Sequence, residues 1–278
     1  MKEKIELIKI FLTCRNRFHL TRFCIQALYK FTHQPFQLYV YDNLTDYLVR
    51  DHWGFFCSLY EKGLITKYVA NTRHSTFGCF SKAVAWNEFG HIHMMDPLWD
   101  TTDFLLCLDN DILVTDGWDL VVSSIWSSLK ESEWYKYIHV VTQWYGSKLG
   151  QKNKTELNGY TCHLGTHTGS GFWAVKPTFF LDVGFLDITK FIGLNKKHDQ
   201  FYWQMMLEKN QGLPYICGVE HMLFYNCGWW GTKSLCNTLT VCPDSDVSFS
   251  EEEDKLSQMT FSEFYSAVQE ASEKLFFR

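Results

Sequence analysis

The sequence predicts an α/β fold, with a mostly parallel central sheet flanked by helices and a less regular second half. Three observations carry this. Short apolar runs alternate with helix-spaced segments through residues 1–120. The run at 104–108, FLLCL, is unbroken, as a strand covered on both faces requires. Polar and charged residues collect where each apolar run stops, and open parallel sheets take ligands beyond the carboxyl ends of their strands.

The elements follow in order. Residues 5–13 read as a strand, and 20–30 carry helical spacing through Leu20, Phe23, Cys24, Ala27 and Leu28. FQLYVY at 36–41 is the second strand. Thr45 is placed to cap a helix over 45–60 that stops near Gly63. A short strand at 65–70, a helix over 80–89 and the strand at 103–108 complete a nucleotide-binding half, residues 1–120. Residues 121–243 form the acceptor-side half of the same domain: a helix at 119–130, strands at 138–142, 172–175 and 215–217, and a helix at 199–209. The polar, glycine-containing stretch 148–168 reads as a loop. Residues 244–278 are an acidic linker and a C-terminal amphipathic helix, in which Thr260 and Glu263 have capping-box spacing.

Composition narrows the function. The chain of 278 residues is 46% hydrophobic and 17% aromatic, so it affords a large core. Its net charge is −5, which disfavours a general polyanion binder. The N-terminal apolar part is broken by Glu6 and Lys9, so it does not read as a secretion signal. No apolar run reaches the roughly 18 residues of a membrane span. Ten cysteines without a CxxC pair read as reduced thiols, and together these features point to the cytoplasm, with attachment at a membrane surface left open. Neither GxxxxGK[ST] nor GxGxxG occurs, which removes the P-loop and disfavours a dinucleotide dehydrogenase.

The strand ends carry the chemistry. LDND ends the most apolar strand, so Asp109 and Asp111 emerge at the edge of a core, where unpaired carboxylates repel. A hard divalent cation, Mg²⁺ or Mn²⁺, relieves that repulsion, and Mg²⁺ so held brings substrate phosphates with it. A second DxD, Asp244-Ser-Asp246, has no strand before it and reads as chance. FLTCRNR ends the first strand with Thr13, Arg15 and Arg17, donors and positive charge suited to a diphosphate. VYDN ends the second with Asp42, suited to a base edge, and the segment after the third supplies Arg73 and Lys82.

The order TCRNR, VYDN, DND resembles the GT-A-fold nucleotide-sugar glycosyltransferases, closest to the family 2 type. The likeness is best over residues 5–120. It continues more loosely through GSGFWAVKP (169–177), KHDQFYWQM (197–205) and VEHM (219–222). The resemblance implies a GT-A fold and a metal-dependent transfer of sugar from a nucleoside-diphosphate sugar, UDP-sugar favoured. Carried over, Thr13 and Asp42 hold the nucleobase end with Arg73 nearby. Arg15, Lys82 and Asn110 complete the donor site, Asp109 meets the ribose or sugar, and Asp111 binds Mn²⁺ or Mg²⁺ together with Asp109. Asp199 is the candidate base for an inverting reaction, although His198 stands where the family usually has Glu. His221 is the candidate third metal ligand, and Gly171, Phe172 and Trp173 correspond to the loop that meets the sugars, with Trp173 a stacking face. A retaining reaction, a Mg²⁺-dependent nucleotidyltransferase and a non-catalytic carbohydrate-binding protein stay open as alternatives. Glycan, lipid-linked glycan and modified nucleobase stay open as acceptors.

Overall fold

A computed structural model describes residues 7–14, 17–43, 50–71, 78–97, 99–144, 153–166, 171–187, 198–227 and 256–276. The first half alternates strictly: β1 (Leu7–Cys14), α1 (Phe18–Phe31), β2 (Phe36–Asn43), α2 (Arg50–Glu61), β3 (Lys67–Asn71), α3 (Gly78–Met95), β4 (Thr102–Asp109). The second half is mixed: β5 (Ile112–Val114), α4 (Trp118–Lys130), β6 (Val140–Gln143), β7 (Asn153–Leu157), β8 (Tyr160–Gly165), β9 (Phe172–Val175), α5 (Phe179–Asp182), α6 (His198–Lys209), β10 (Ile216–Val219), β11 (Phe224–Asn226) and α7 (Phe261–Phe276).

Nine of these strands form one sheet in the order β3-β2-β1-β4-β9-β6-β10-β8-β7. Strands β3, β2, β1 and β4 run parallel. Strand β9 enters antiparallel between β4 and β6, and β10 runs parallel to β6. The carboxyl ends of β1, β2, β3, β4, β6 and β10 therefore face one rim.

Alternation along each strand splits the core in two. Ile10, Leu12, Val40, Leu106 and Leu108 point to the face covered by α1, α2, α4 and α7. Phe11, Tyr41, Leu105, Cys107 and Trp173 point to the face covered by α3 and α6. On the first face Phe264 of α7 stacks on Phe23 of α1 at 4.6 Å. On the second, Phe89 of α3 stacks on Phe11 at 4.7 Å. Each buried ring of this kind contributes about 2 kcal/mol from burial.

Helix α3 runs past the expected 80–89 because its end is fastened to β1. Lys9, only 1% exposed, places Nζ 2.5 Å from Asp96 Oδ2 and 3.4 Å from His93 Nδ1. His93 donates from Nε2 to the Pro177 carbonyl at 2.9 Å, and burial pushes its pKa down to about 4. The imidazole is thus neutral, accepting from the ammonium on one side and donating on the other.

The expected loop at 148–168 is corrected: its described part is a β7–β8 hairpin. Asn158 (φ 47°) and Gly159 (φ 80°) both sit in the left-handed region that a two-residue turn needs to match strand twist. Asn158 Nδ2 also donates to the Ser124 carbonyl at 2.8 Å, which docks the turn on α4. At the C-terminus the capping box forms: Thr260 N–H donates to Glu263 Oε2 at 2.8 Å, and Glu263 N–H to Thr260 Oγ1 at 3.3 Å. The cap assigned to Thr45 lies outside the described residues.

Candidate functional site

Register puts the strand-end residues in one row. Thr13 is paired with both Tyr41 and Asp109, and Tyr41 with Val69. Strand β4 ends at Asp109, whose N–H donates to the Gly171 carbonyl at 2.9 Å. The chain then turns through Asn110 and Asp111 into β5.

Two cations flank the two carboxylates. Lys82, from the first turns of α3, places Nζ 2.5 Å from Asp109 Oδ1 and donates to Oδ2 at 2.6 Å. Its ammonium also lies 5.6 Å from the Trp86 ring centre. Thr13 Oγ1 donates to Asp109 Oδ1 at 3.1 Å. On the other side Arg17 Nη1 is 3.4 Å from Asp111 Oδ2, with the side chains 15% and 21% exposed. Burial, then the Asp109 charge, pushes the Asp111 pKa up to about 6 against the pull of Arg17 and Lys82.

Arg17 is the arginine of TCRNR that the described residues place beside the carboxylates. It precedes α1 with φ 55°, a left-handed conformation costing a non-glycine residue about 1 kcal/mol. Its carbonyl accepts from Thr21 N–H and Thr21 Oγ1, both at 3.0 Å. Asn110 Nδ2 in turn donates to Thr21 Oγ1 at 2.8 Å. Asn110 therefore points into the α1 contact and fixes the turn that presents Asp111. Arg15 and Arg73 lie outside the described residues.

Asp42 ends β2 on the opposite face of the sheet and is fully buried. Tyr68 donates its hydroxyl to Oδ2 at 3.0 Å, while Oδ1 has no partner among the described residues. Burial pushes its pKa up to about 6, despite the Tyr68 and Cys14 hydrogen bonds that favour the anion. A buried carboxylate oxygen left unpaired is costly, and a ligand N–H is the natural relief.

Two sugar-facing expectations are corrected. Phe172 is fully buried, stacked on Phe224 at 4.7 Å. Trp173 is fully buried between Trp86 and Tyr202. Neither has a face open to a sugar; they hold β9 so that the Gly171 carbonyl meets Asp109. His221 does not join the carboxylates. It lies against Tyr160 of the hairpin, ring centres 5.8 Å apart. No three His, Cys, Asp or Glu residues among the described residues come together as a metal site. The chain after His221 does return to the turn: β11 pairs with β5, and Cys227 N–H donates to the Asp111 carbonyl at 2.7 Å. Asp199 lies in the first turn of α6, one turn before Tyr202; its side chain is outside the described set, as are residues 229–230 and 244–246.

Comparison with solved structures supplies the context. GalNAc-T7 with UDP, GalNAc and Mn²⁺ superposes at TM-score 0.53 and 12% identity, over 99% of this chain and 58% of that one. S. aureus TarS 1–349 in complex with UDP superposes at TM-score 0.51 and 12% identity, over 93% of this chain and 70% of that one. S. aureus TarS superposes at TM-score 0.50 and 12% identity, over 94% and 43%. The chain has a GT-A fold. It spans about half the length of GalNAc-T7 and of TarS. No protein-family model and no curated protein matches the sequence. The parallel block β3-β2-β1-β4 lies within residues 1–120, the half that carries the strand-end motifs. No described helix is long and apolar enough to cross a membrane.

Proposed function

We propose that the chain is a glycosyltransferase that moves a sugar from a nucleoside-diphosphate sugar, UDP-sugar favoured, to an acceptor hydroxyl. The observation that carries this is the charge arrangement at the end of β4. Asp109 and Asp111 emerge together from a GT-A sheet, with Lys82 and Arg17 within 2.5 and 3.4 Å of them. The solved neighbours that hold UDP and Mn²⁺ have the same fold, which supports the donor class.

Each residue then has a role. Asp42 and Thr13 are assigned to the nucleobase end, with Arg73 beside them. Arg17, Arg15 and Lys82 neutralise the diphosphate. Asp109 orients the ribose or sugar through its Thr13 and Lys82 contacts. Asp111 is the principal metal ligand, assisted by Asp109.

The donor set fits a hard divalent cation. Two carboxylates, one with its pKa raised by burial and by the other's charge, are stabilised by a cation, and phosphates complete the oxygen shell. Mn²⁺ or Mg²⁺ so bound supplies Lewis acidity to the leaving diphosphate. Asp199 is assigned as the base that removes the acceptor hydroxyl proton, which makes the reaction inverting.

The test is a hydrolysis and transfer screen over nucleotide sugars with Mg²⁺ and with Mn²⁺, followed by the anomeric configuration of the product. Turnover of a UDP-sugar with inversion is expected. Retention removes Asp199 from its role, and incorporation of a nucleoside monophosphate makes the chain a nucleotidyltransferase instead.

A further inference from the structure

The row of strand-end residues does not stop at Asp109. Leu105 is paired with Val175 and Val175 with Val140, so β4 and β6 are level. Counting up each strand brings Trp144, the residue after β6, level with Asp109. Trp144 N–H donates to the Val219 carbonyl at 2.7 Å, and Glu220 N–H to Thr161 at 2.9 Å, which carries the row onto β10 and β8. Alternation puts Asp109, Trp144 and Glu220 on the same face, the one covered by α3 and α6.

At the far end of the row the side chains make a built site. The His163 ring, buried beside β10, stacks on Trp144 with ring centres 4.4 Å apart and planes 23° apart. His163 Nε2 donates to Glu220 Oε1 at 2.6 Å. Lys154 Nζ stands 3.9 Å from the same carboxylate, and Glu220 stays 47% exposed. The His163 bond holds the Glu220 pKa below the ordinary carboxylate range. Beneath them Gly218 has no side chain because the indole needs the space: a Cβ there would lie 3.0 Å from Trp144 Cε3. His163 rises from β8, beyond β10, so the indole face opposite it looks back toward β9 and β4. Strands are spaced about 4.8 Å apart, which puts that face roughly 10–15 Å from the Asp109 strand. A donor sugar and the hydroxyl attacking it fit in such a span.

We propose that Trp144, fixed by His163 and Gly218, is the acceptor platform, and that the acceptor it takes is a pyranose ring. The indole face covers the C–H face of the sugar, and Glu220 accepts hydrogen bonds from its hydroxyls. The flat apolar indole face suits the C–H face of a pyranose, so a glycan is the acceptor proposed. This rests on the glycosyltransferase reading and assigns its acceptor side.

The test is saturation-transfer NMR on the whole chain with UDP and Mg²⁺, using methyl β-D-glucopyranoside and methyl β-D-galactopyranoside as probes. UDP binding is measured separately by calorimetry. Ring-proton saturation is expected for at least one pyranoside. It should fall about fivefold in Trp144→Ala and in Glu220→Gln, with UDP affinity unchanged. Trp53→Ala, at a tryptophan 62% exposed on α2, should change nothing. Gly218→Ala crowds the indole from beneath without deleting it and should lower the saturation in the same direction, so the test stands even if Trp144→Ala fails to fold. Undiminished saturation in Trp144→Ala and Gly218→Ala overturns the proposal. So does a wild-type chain that binds UDP but neither pyranoside, or one in which Trp144 instead controls binding of an oligothymidylate. Pyranoside binding without UDP binding leaves the platform standing and sinks the donor reading.

Discussion

Lys82 Nζ lies 2.5 Å from Asp109 Oδ1, an ion pair at the end of a buried central strand of the sheet. The ammonium comes from α3 and the carboxylate from β4, so the pair joins the helix layer to the rim. In the proposed donor site it sets the position of Asp109 and adds positive charge for the diphosphate. Replacing Lys82 by Met keeps the stem packed near Trp86 and removes the charge. UDP affinity, read by calorimetry, should fall about tenfold with little change in melting temperature.

Asp42 and Asp111 both titrate near 6 in the fold, above the ordinary value of 3.8. A carboxyl with a raised pKa holds its proton more tightly when folded. Its contribution to stability is therefore complete below about pH 3.8 and is lost as pH rises through about 6. Asp42→Asn removes the buried charge. Urea denaturation should show the variant more stable than wild type near pH 7.5, by up to about 3 kcal/mol, with the difference vanishing toward pH 4. Asp42 is thus kept at a cost to stability, as expected of a binding residue.

Gly159 has φ 80° and open space around its Cα. A methyl group there meets no neighbour, so the penalty of Gly159→Ala is conformational alone. Thermal denaturation should show a loss of about 1 kcal/mol.

Helix α7 seals the face that carries α1. Phe264→Ala empties a ring stacked on Phe23 and should cost about 3–4 kcal/mol in a chemical melt. Thr260→Ala breaks the capping box and should cost about 1 kcal/mol. Equal, negligible effects of the two would mean that α7 is not part of the cooperative unit.

The first half of the fold was legible because each level of the sequence agrees there. Strand, helix and polar strand end repeat from β1 to β4, and the register that aligns Thr13 with Asp109 follows from that repetition. The second half was not, because β9 enters antiparallel between β4 and β6, and nothing local announces the order of a sheet. That order alone makes Trp144 a neighbour of the Asp109 row. The same cause buries Trp173: a strand central in a sheet has both faces covered, and a tryptophan on it is core. The hairpin was missed for a different reason. Its strands, NKTEL and YTCHLG, alternate weakly, and polar residues surround the Asn158-Gly159 turn. His221 was a candidate ligand only through the resemblance. It is Cys227, after β11, that touches Asp111.

The most direct measurement is calorimetric titration of UDP into wild type and into Asp111→Asn, each with and without Mn²⁺. The proposed site predicts binding to wild type that strengthens with Mn²⁺, and a folded variant, melting no lower than wild type, in which the Mn²⁺-dependent part is gone. Mn²⁺-dependent UDP binding that survives intact in Asp111→Asn, or a wild-type chain that binds no UDP under either condition, would contradict it.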